Sequence, residues 1–150
     1  LYDLNIYNLH FVMGILGIPK EVIYRPNLGF NGIDISGTAL LDYDDYTVVC
    51  SAAKDSESIS GTVFQGEKGY MELVGAPNIC ALVKVHKKGE EEILINKEKY
   101  NHRMVNEFVA FTEIFKQQDL ATCYKTLEHS LNVMKVLEQA RISGKVEFNI

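Results

Sequence analysis

The chain has 150 residues, 47% of them apolar, and carries a formal net charge of −5. That length allows one domain with a single core, burying about 70% of the surface that the unfolded chain exposes. The acidic balance, with no cluster of Lys and Arg interleaved with aromatics, excludes a nucleic-acid surface, and no apolar run approaches the roughly eighteen residues that a membrane span needs.

Cys50, Cys80 and Cys123 are far apart, odd in number and set in apolar surroundings, the pattern of reduced thiols in a cytoplasmic protein. No pair of them has metal-ligand spacing, so no metal is expected. The basic residues around His86 are followed at once by Glu90, Glu91 and Glu92, which reads as a solvated hairpin rather than a patch.

Residues 1–17 read as a buried helix. Ile6, Leu9, Val12, Met13, Ile15 and Leu16 make most of its circumference apolar, and Gly17 followed by Pro19 is a stop. Its polar exceptions, Asp3, Tyr7 and His10, fall at i, i+4 and i+7 and so share one stripe. One reading is structural: Asp3 favours the helix N-terminus while Tyr7 and His10 pack with satisfied tips. The other is chemical, because a carboxylate, a phenol and an imidazole can all bind or exchange protons with a bound molecule.

Seven strands are predicted next. Residues 20–30 are rich in β-formers, with Pro26 marking an edge or a bulge, and Asn31-Gly32 is a strong hairpin signal. Residues 33–43 and 46–53 flank a turn at Asp44-Asp45, and Ala39-Leu40-Leu41 with Val48-Val49-Cys50 leave neither face polar, so both faces are expected to be covered. Strands over 59–65 and 70–74 are joined by a turn framed by Gly66 and Gly69, and 79–86 pairs with 92–95 across residues 87–89. Such short connections require antiparallel neighbours.

Two further helices close the chain. Met104, Phe108, Phe111 and Phe115 mark a core face over residues 101–117, and Asp119 is a candidate cap for a helix with a core stripe of Leu127, Leu131, Met134 and Leu137, stopping near Ser143-Gly144. The expected fold is therefore α+β: a large open, mainly antiparallel sheet of about seven strands with three helices on one face. The other face then calls for a partner subunit or a neighbouring domain.

The run Asp3-x-x-x-Tyr7-x-x-His10, in a helix ending Leu16-Gly17-x-Pro19 and feeding an antiparallel sheet, resembles a known unit. So do the Gly37-Thr38-Ala39-Leu40-Leu41 strand with Asp44-Asp45 at its turn, and the Gln65-Gly66-Glu67-Lys68-Gly69-Tyr70 turn, in the same order. Together they resemble the C-terminal domain of the glucose-fructose oxidoreductase / inositol dehydrogenase (Gfo/Idh/MocA) family, over essentially the whole chain. The resemblance implies a fragment of a longer chain whose N-terminal Rossmann domain binds NAD or NADP. It also implies that residues 1–150 supply the substrate-binding side and the subunit interface of a homodimer or homotetramer. The isolated domain is expected to be inactive.

Carried over by position, the resemblance makes Asp3 the family's helix-start acid and Tyr7 the catalytic position, where many members have His and others Tyr. His10 becomes a substrate contact, and Asn5 stands where Gly is usual. The implied reaction is hydride transfer between a nicotinamide and the hydroxyl-bearing carbon of a carbohydrate-like substrate, with Tyr7 taking the hydroxyl proton. A free tyrosine titrates at about 10 and a neighbouring carboxylate pushes it the wrong way, so Asp3 is expected to bind a substrate hydroxyl or pair with the lysine of the absent N-terminal domain rather than to activate Tyr7. Two other readings compete. One is a non-catalytic binding and dimerisation module. The other, a hydrolase using Asp3 and His10, lacks a nucleophile at recognisable spacing.

Overall fold

The computed structural model describes residues 1–96, 100, 102 and 104–147. Among these the chain forms three helices and seven strands, all paired antiparallel, in an α+β arrangement. The seven expected strands form two hydrogen-bonded sheets, of three and four strands, rather than one continuous ladder. The break falls in the polar segment after Ala53, where Lys54 N bonds back to Ile35 O. The chain divides into two compact units: Leu1–Glu57 together with the chain from Tyr124 onward, and Ser58–Cys123.

The first unit begins with helix α1 (Asn5–Leu16), closed by Gly17, whose N–H donates to Met13 O at 3.0 Å. Strands β1 (Glu21–Leu28), β2 (Asp34–Asp42) and β3 (Thr47–Ala53) follow in sheet order β1-β2-β3. Both hairpin signals form the turns expected. Gly32 N–H donates to Gly29 O at 3.0 Å, and Tyr43 N–H donates to Tyr46 O at 3.0 Å. Pro26 lies on the edge strand, where its missing N–H is tolerated, and the register slips shortly after it, between Asn27 and Leu28.

Register explains the core of this unit. Val22, Leu41 and Val48 lie in one cross-strand row and Tyr24, Ala39 and Cys50 in another, and these rows pack with Leu9, Val12 and Met13 of α1. The second half of helix α3 (Leu120–Ser143) closes the same core with Val133, Val136, Leu137 and Ala140. The alternate row, Ile23, Leu40 and Val49, points to the other face, where Leu40 and Val49 are exposed. Among the described residues the two-faced cover expected for this sheet is thus supplied on one face only. Gly37 is fixed by packing: a Cβ there would lie 2.2 Å from the hydroxyl of buried Tyr24, which donates to Asp34 at 2.6 Å.

In the second unit β4 (Gly61–Gly66), β5 (Gly69–Val74), β6 (Leu82–Lys87) and β7 (Ile93–Ile95) pair in sequence order. Ile79 and Cys80, expected in a strand, instead form a turn whose N–H groups both donate to Ala76 O. Ile59 stands exposed before β4 begins. Helix α2 (Met104–Gln117) matches the expected span, residues 101 and 103 of which lie outside those described. Asp119 caps α3 as expected, accepting from Thr122 N at 3.0 Å and from its hydroxyl at 2.6 Å.

Both predicted core stripes need correction. Met104, Phe108, Phe111 and Phe115 are exposed, and α2 buries no residue. In α3, Leu127, Leu131 and Met134 are exposed, and only Leu137 of that stripe is buried. The buried face is instead the one with Val133, Val136, Leu137 and Ala140.

Candidate functional site

The side of α1 facing the core carries Asn5, Leu9, Val12 and Met13 at i, i+4, i+7 and i+8, all buried. Tyr7, His10 and Gly14 lie off that face. Tyr7 is 45% exposed and His10 is half-buried, so the polar stripe is presented outward and not, as its setting suggested, buried in the core. Asp3 also differs from expectation, because residues 2–4 form a turn ahead of the helix and Asp3 is exposed there.

Asp3 has a partner that its position alone did not reveal. Its carboxylate pairs with the ammonium of Lys54, from the segment after β3, and that contact holds the acid below its ordinary range. The two residues border a recess of about 140 Å³ shared with Tyr2, Asp34, Ser36 and Ala52. Lys54 is a lysine of this chain, a different residue from the N-terminal-domain lysine that the resemblance offers Asp3.

His10 meets His129 of α3, with Nδ1 and Nε2 3.1 Å apart and the ring planes inclined at 56°. Burial pushes the His10 imidazole below its ordinary range, and the second imidazole adds to the effect, so His10 is held neutral. His129 was not anticipated from the sequence. The usable signal was its spacing, since it precedes Val133, Val136, Leu137 and Ala140 by 4, 7, 8 and 11 positions and so sits on the buried face of α3.

Asn5 is the one buried polar residue of the first unit among those described. Its amide donates to Cys50 O at 3.2 Å, and its side-chain oxygen accepts from Asn8, which also donates to Ser51 O at 3.1 Å. These bonds tie the first turn of α1 to β3 and fix the rotation of the helix, and with it the outward direction of Tyr7. Cys50, behind Asn5, is buried with its thiol pushed up to about 11, which makes it an inert core residue.

Among the described residues no group of three His, Cys, Asp or Glu side chains could hold a metal ion. A wider, open recess of about 870 Å³ lies in the second unit beside the Gly66–Gly69 turn, where Tyr70 and His86 stack at 4.2 Å. None of the site residues expected from the sequence lines it. Among the described residues no helix is long and apolar enough to cross a membrane.

Comparison with known proteins places this geometry in context. The chain is 28% identical over 144 residues to the scyllo-inositol 2-dehydrogenase (NADP(+)) IolU of Bacillus subtilis, covering 94% of this chain and 43% of that protein. It is 32% identical over 71 residues to the uncharacterized oxidoreductase YgjR of Escherichia coli, covering 47% and 22% respectively. The chain thus spans less than half the length of these curated relatives.

Among solved structures, the fold matches YvaA from Bacillus subtilis, described provisionally as an oxidoreductase, with a TM-score of 0.69 at 14% identity, covering 97% of this chain and 49% of that one. A Klebsiella pneumoniae protein described in the same way gives a TM-score of 0.64 at 15% identity, covering 91% and 45%. A scan against protein-family models found no match. With its three motifs in order, its α+β fold and these relatives, the chain is similar to oxidoreductases of the Gfo/Idh/MocA type, and its partial coverage of them fits a C-terminal domain.

Proposed function

We propose that this chain is the substrate-side part of an NAD(P)-dependent enzyme that moves hydride between a nicotinamide ring and the hydroxyl-bearing carbon of a sugar, polyol or related alcohol. The observation that carries the reading is the outward presentation of Tyr7 beside His10 on one side of α1, with Asn5 and Leu9 anchoring the opposite side. A full-length scyllo-inositol dehydrogenase among the relatives supports a polyol as the substrate class.

The residues present suit the alcohol side of the reaction and offer no glycine-rich helix start for a dinucleotide phosphate. The dinucleotide, when bound, supplies the hydride acceptor and donor. Tyr7 carries the hydroxyl proton, His10 contacts a substrate oxygen, and Asp3, balanced by Lys54, binds a substrate hydroxyl. Proton transfer by a positioned group contributes about 10² to 10⁴ in rate, so Tyr7→Phe in the full-length protein is expected to lower kcat by at least about 100-fold. Turnover within a few-fold of wild type would sink the assignment.

A subunit-contact role is favoured by separate observations in each unit. In the first, Leu40 and Val49 expose an apolar row on the sheet, and in the second, Phe108, Phe111 and Phe115 expose one side of α2. A second copy of the chain is the proposed cover, giving a homodimer or homotetramer. Sedimentation equilibrium on the 150-residue chain tests it, a monomer at micromolar concentration being the contrary result. The three widely spaced cysteines support a cytoplasmic setting.

A further inference from the structure

We propose that His129 is a positioning residue whose Nε2–H donates to Nδ1 of His10, fixing His10 as the tautomer that carries its own proton on Nε2 and offers it to a substrate oxygen. The inference rests on the reading of His10 as a substrate contact and adds to it the residue that sets its chemistry.

Geometry requires a proton between the two rings. At 3.1 Å two lone pairs repel, and so do two N–H groups, so one nitrogen donates and the other accepts. Two neutral arrangements satisfy this. If His10 donated from Nδ1, its Nε2 would be a bare lone pair, and His129 would have to carry its proton on Nδ1 as well. If His129 donates from Nε2, both rings hold the Nε2–H form, which is the ordinary form of a free neutral histidine side chain. The second arrangement asks neither ring to adopt its less stable tautomer.

The surroundings support a fixed pair. His129 stands on α3 one turn before Val133, which is fully buried, and His10 stands on α1 one residue after Leu9, also fully buried, so both backbones are held by the same core. Both rings are half-buried. Burial holds His10 neutral, the condition for having a single tautomer to select. The tilt of 56° and the 5.1 Å centroid separation describe an edge contact through ring nitrogens rather than a stack. The consequence is chemical: His10 acts as a neutral hydrogen-bond donor to a hydroxyl or carbonyl oxygen, and proton removal is left to Tyr7.

The test reads the tautomer and the kinetics separately. Long-range ¹H–¹⁵N correlation spectra of the 150-residue chain are expected to show His10 protonated at Nε2, with Nδ1 accepting a hydrogen bond. His129→Leu, folded by circular dichroism, is expected to shift the His10 nitrogens toward a mixed-tautomer pattern, and His129→Gln, whose amide can donate, to restore them. Should His129→Leu fail to fold, His129→Asn and His129→Gln carry the comparison. In the full-length protein His129→Leu is expected to raise KM for the alcohol about tenfold with kcat changed far less, the loss of one hydrogen bond's worth of binding, and His129→Gln to recover most of it.

An Nδ1–H tautomer of His10 in the unaltered chain would overturn the proposal, and so would an unchanged His10 spectrum in a folded His129→Leu chain. If the spectra behave as expected while neither His129→Leu nor Tyr7→Phe alters turnover or KM, the tautomer assignment stands and the catalytic reading of α1 fails.

Discussion

The two units of this chain use similar sequence material to different ends. In the first, two sheet rows, α1 and the second half of α3 enclose fourteen buried apolar residues in one cluster. In the second, four strands and α2 bury only Leu73 among the described residues, and the aromatic stripe of α2 stays exposed. Amphipathic patterning is present in both. The difference teaches that periodicity identifies an apolar face without saying whether its own chain covers it.

The largest effect should come from the enclosed core. Leu137→Ala removes a fully buried side chain and is expected to cost about 2 to 5 kcal/mol in urea unfolding, whereas Phe115→Ala, at 84% exposure, should stay within about 0.5 kcal/mol. Equal costs would end the distinction between the units. A smaller, confined effect is expected at Gly69, where an added Cβ would lie 1.9 Å from the backbone oxygen of His86 and the glycine φ is +154°. Gly69→Ala should displace the β5–β6 pairing at a cost of about 1 to 3 kcal/mol, with amide shifts in the second unit and few in the first.

Asn5→Ala comes next, at about 1 kcal/mol, because it removes the bond to Cys50 O together with the acceptor for Asn8. It should also lower the activity of the full-length protein more than its stability loss implies, since it frees the rotation of α1. The pH dependence is smaller. His10 has its folded pKa depressed, so the unfolded chain takes up more protons in the window below about 6.5, and stability falls as pH drops through that window. His10→Gln should flatten this part of a pH–stability profile. Least affected should be the stability of a Phe108→Ser chain, while its self-association weakens, which separates folding from assembly.

Much of the first unit was legible because its signals are local. Asn31-Gly32, Asp44-Asp45, Pro26 and the Gly17 stop each act within a few residues, and each behaves as expected. The α3 stripe was misread because two apolar patterns interleave along that helix, and the pattern of larger residues is the one left outside. Ile79 and Cys80 were drawn into β6 by their β propensity, which a turn anchored on Ala76 overrides. Of the site, the spacing of Asp3, Tyr7 and His10 was readable, whereas Lys54 and His129 were not. His129 lies 119 positions from its partner, and only the folded sheet brings them together.

That long separation also sets an order of events at synthesis. The first unit is made from two segments that flank the second in sequence, so β1, β2 and β3 leave the ribosome without the helix that completes their core. Tyr24, Ala39 and Cys50 can be fully enclosed only after the whole second unit has been translated, because Val133, Val136 and Leu137 follow it in sequence. Closing such distant contacts is slow and leaves apolar surface open meanwhile. A chain halted before Tyr124 should therefore hold a paired but half-open sheet, the state in which a chaperone would meet it.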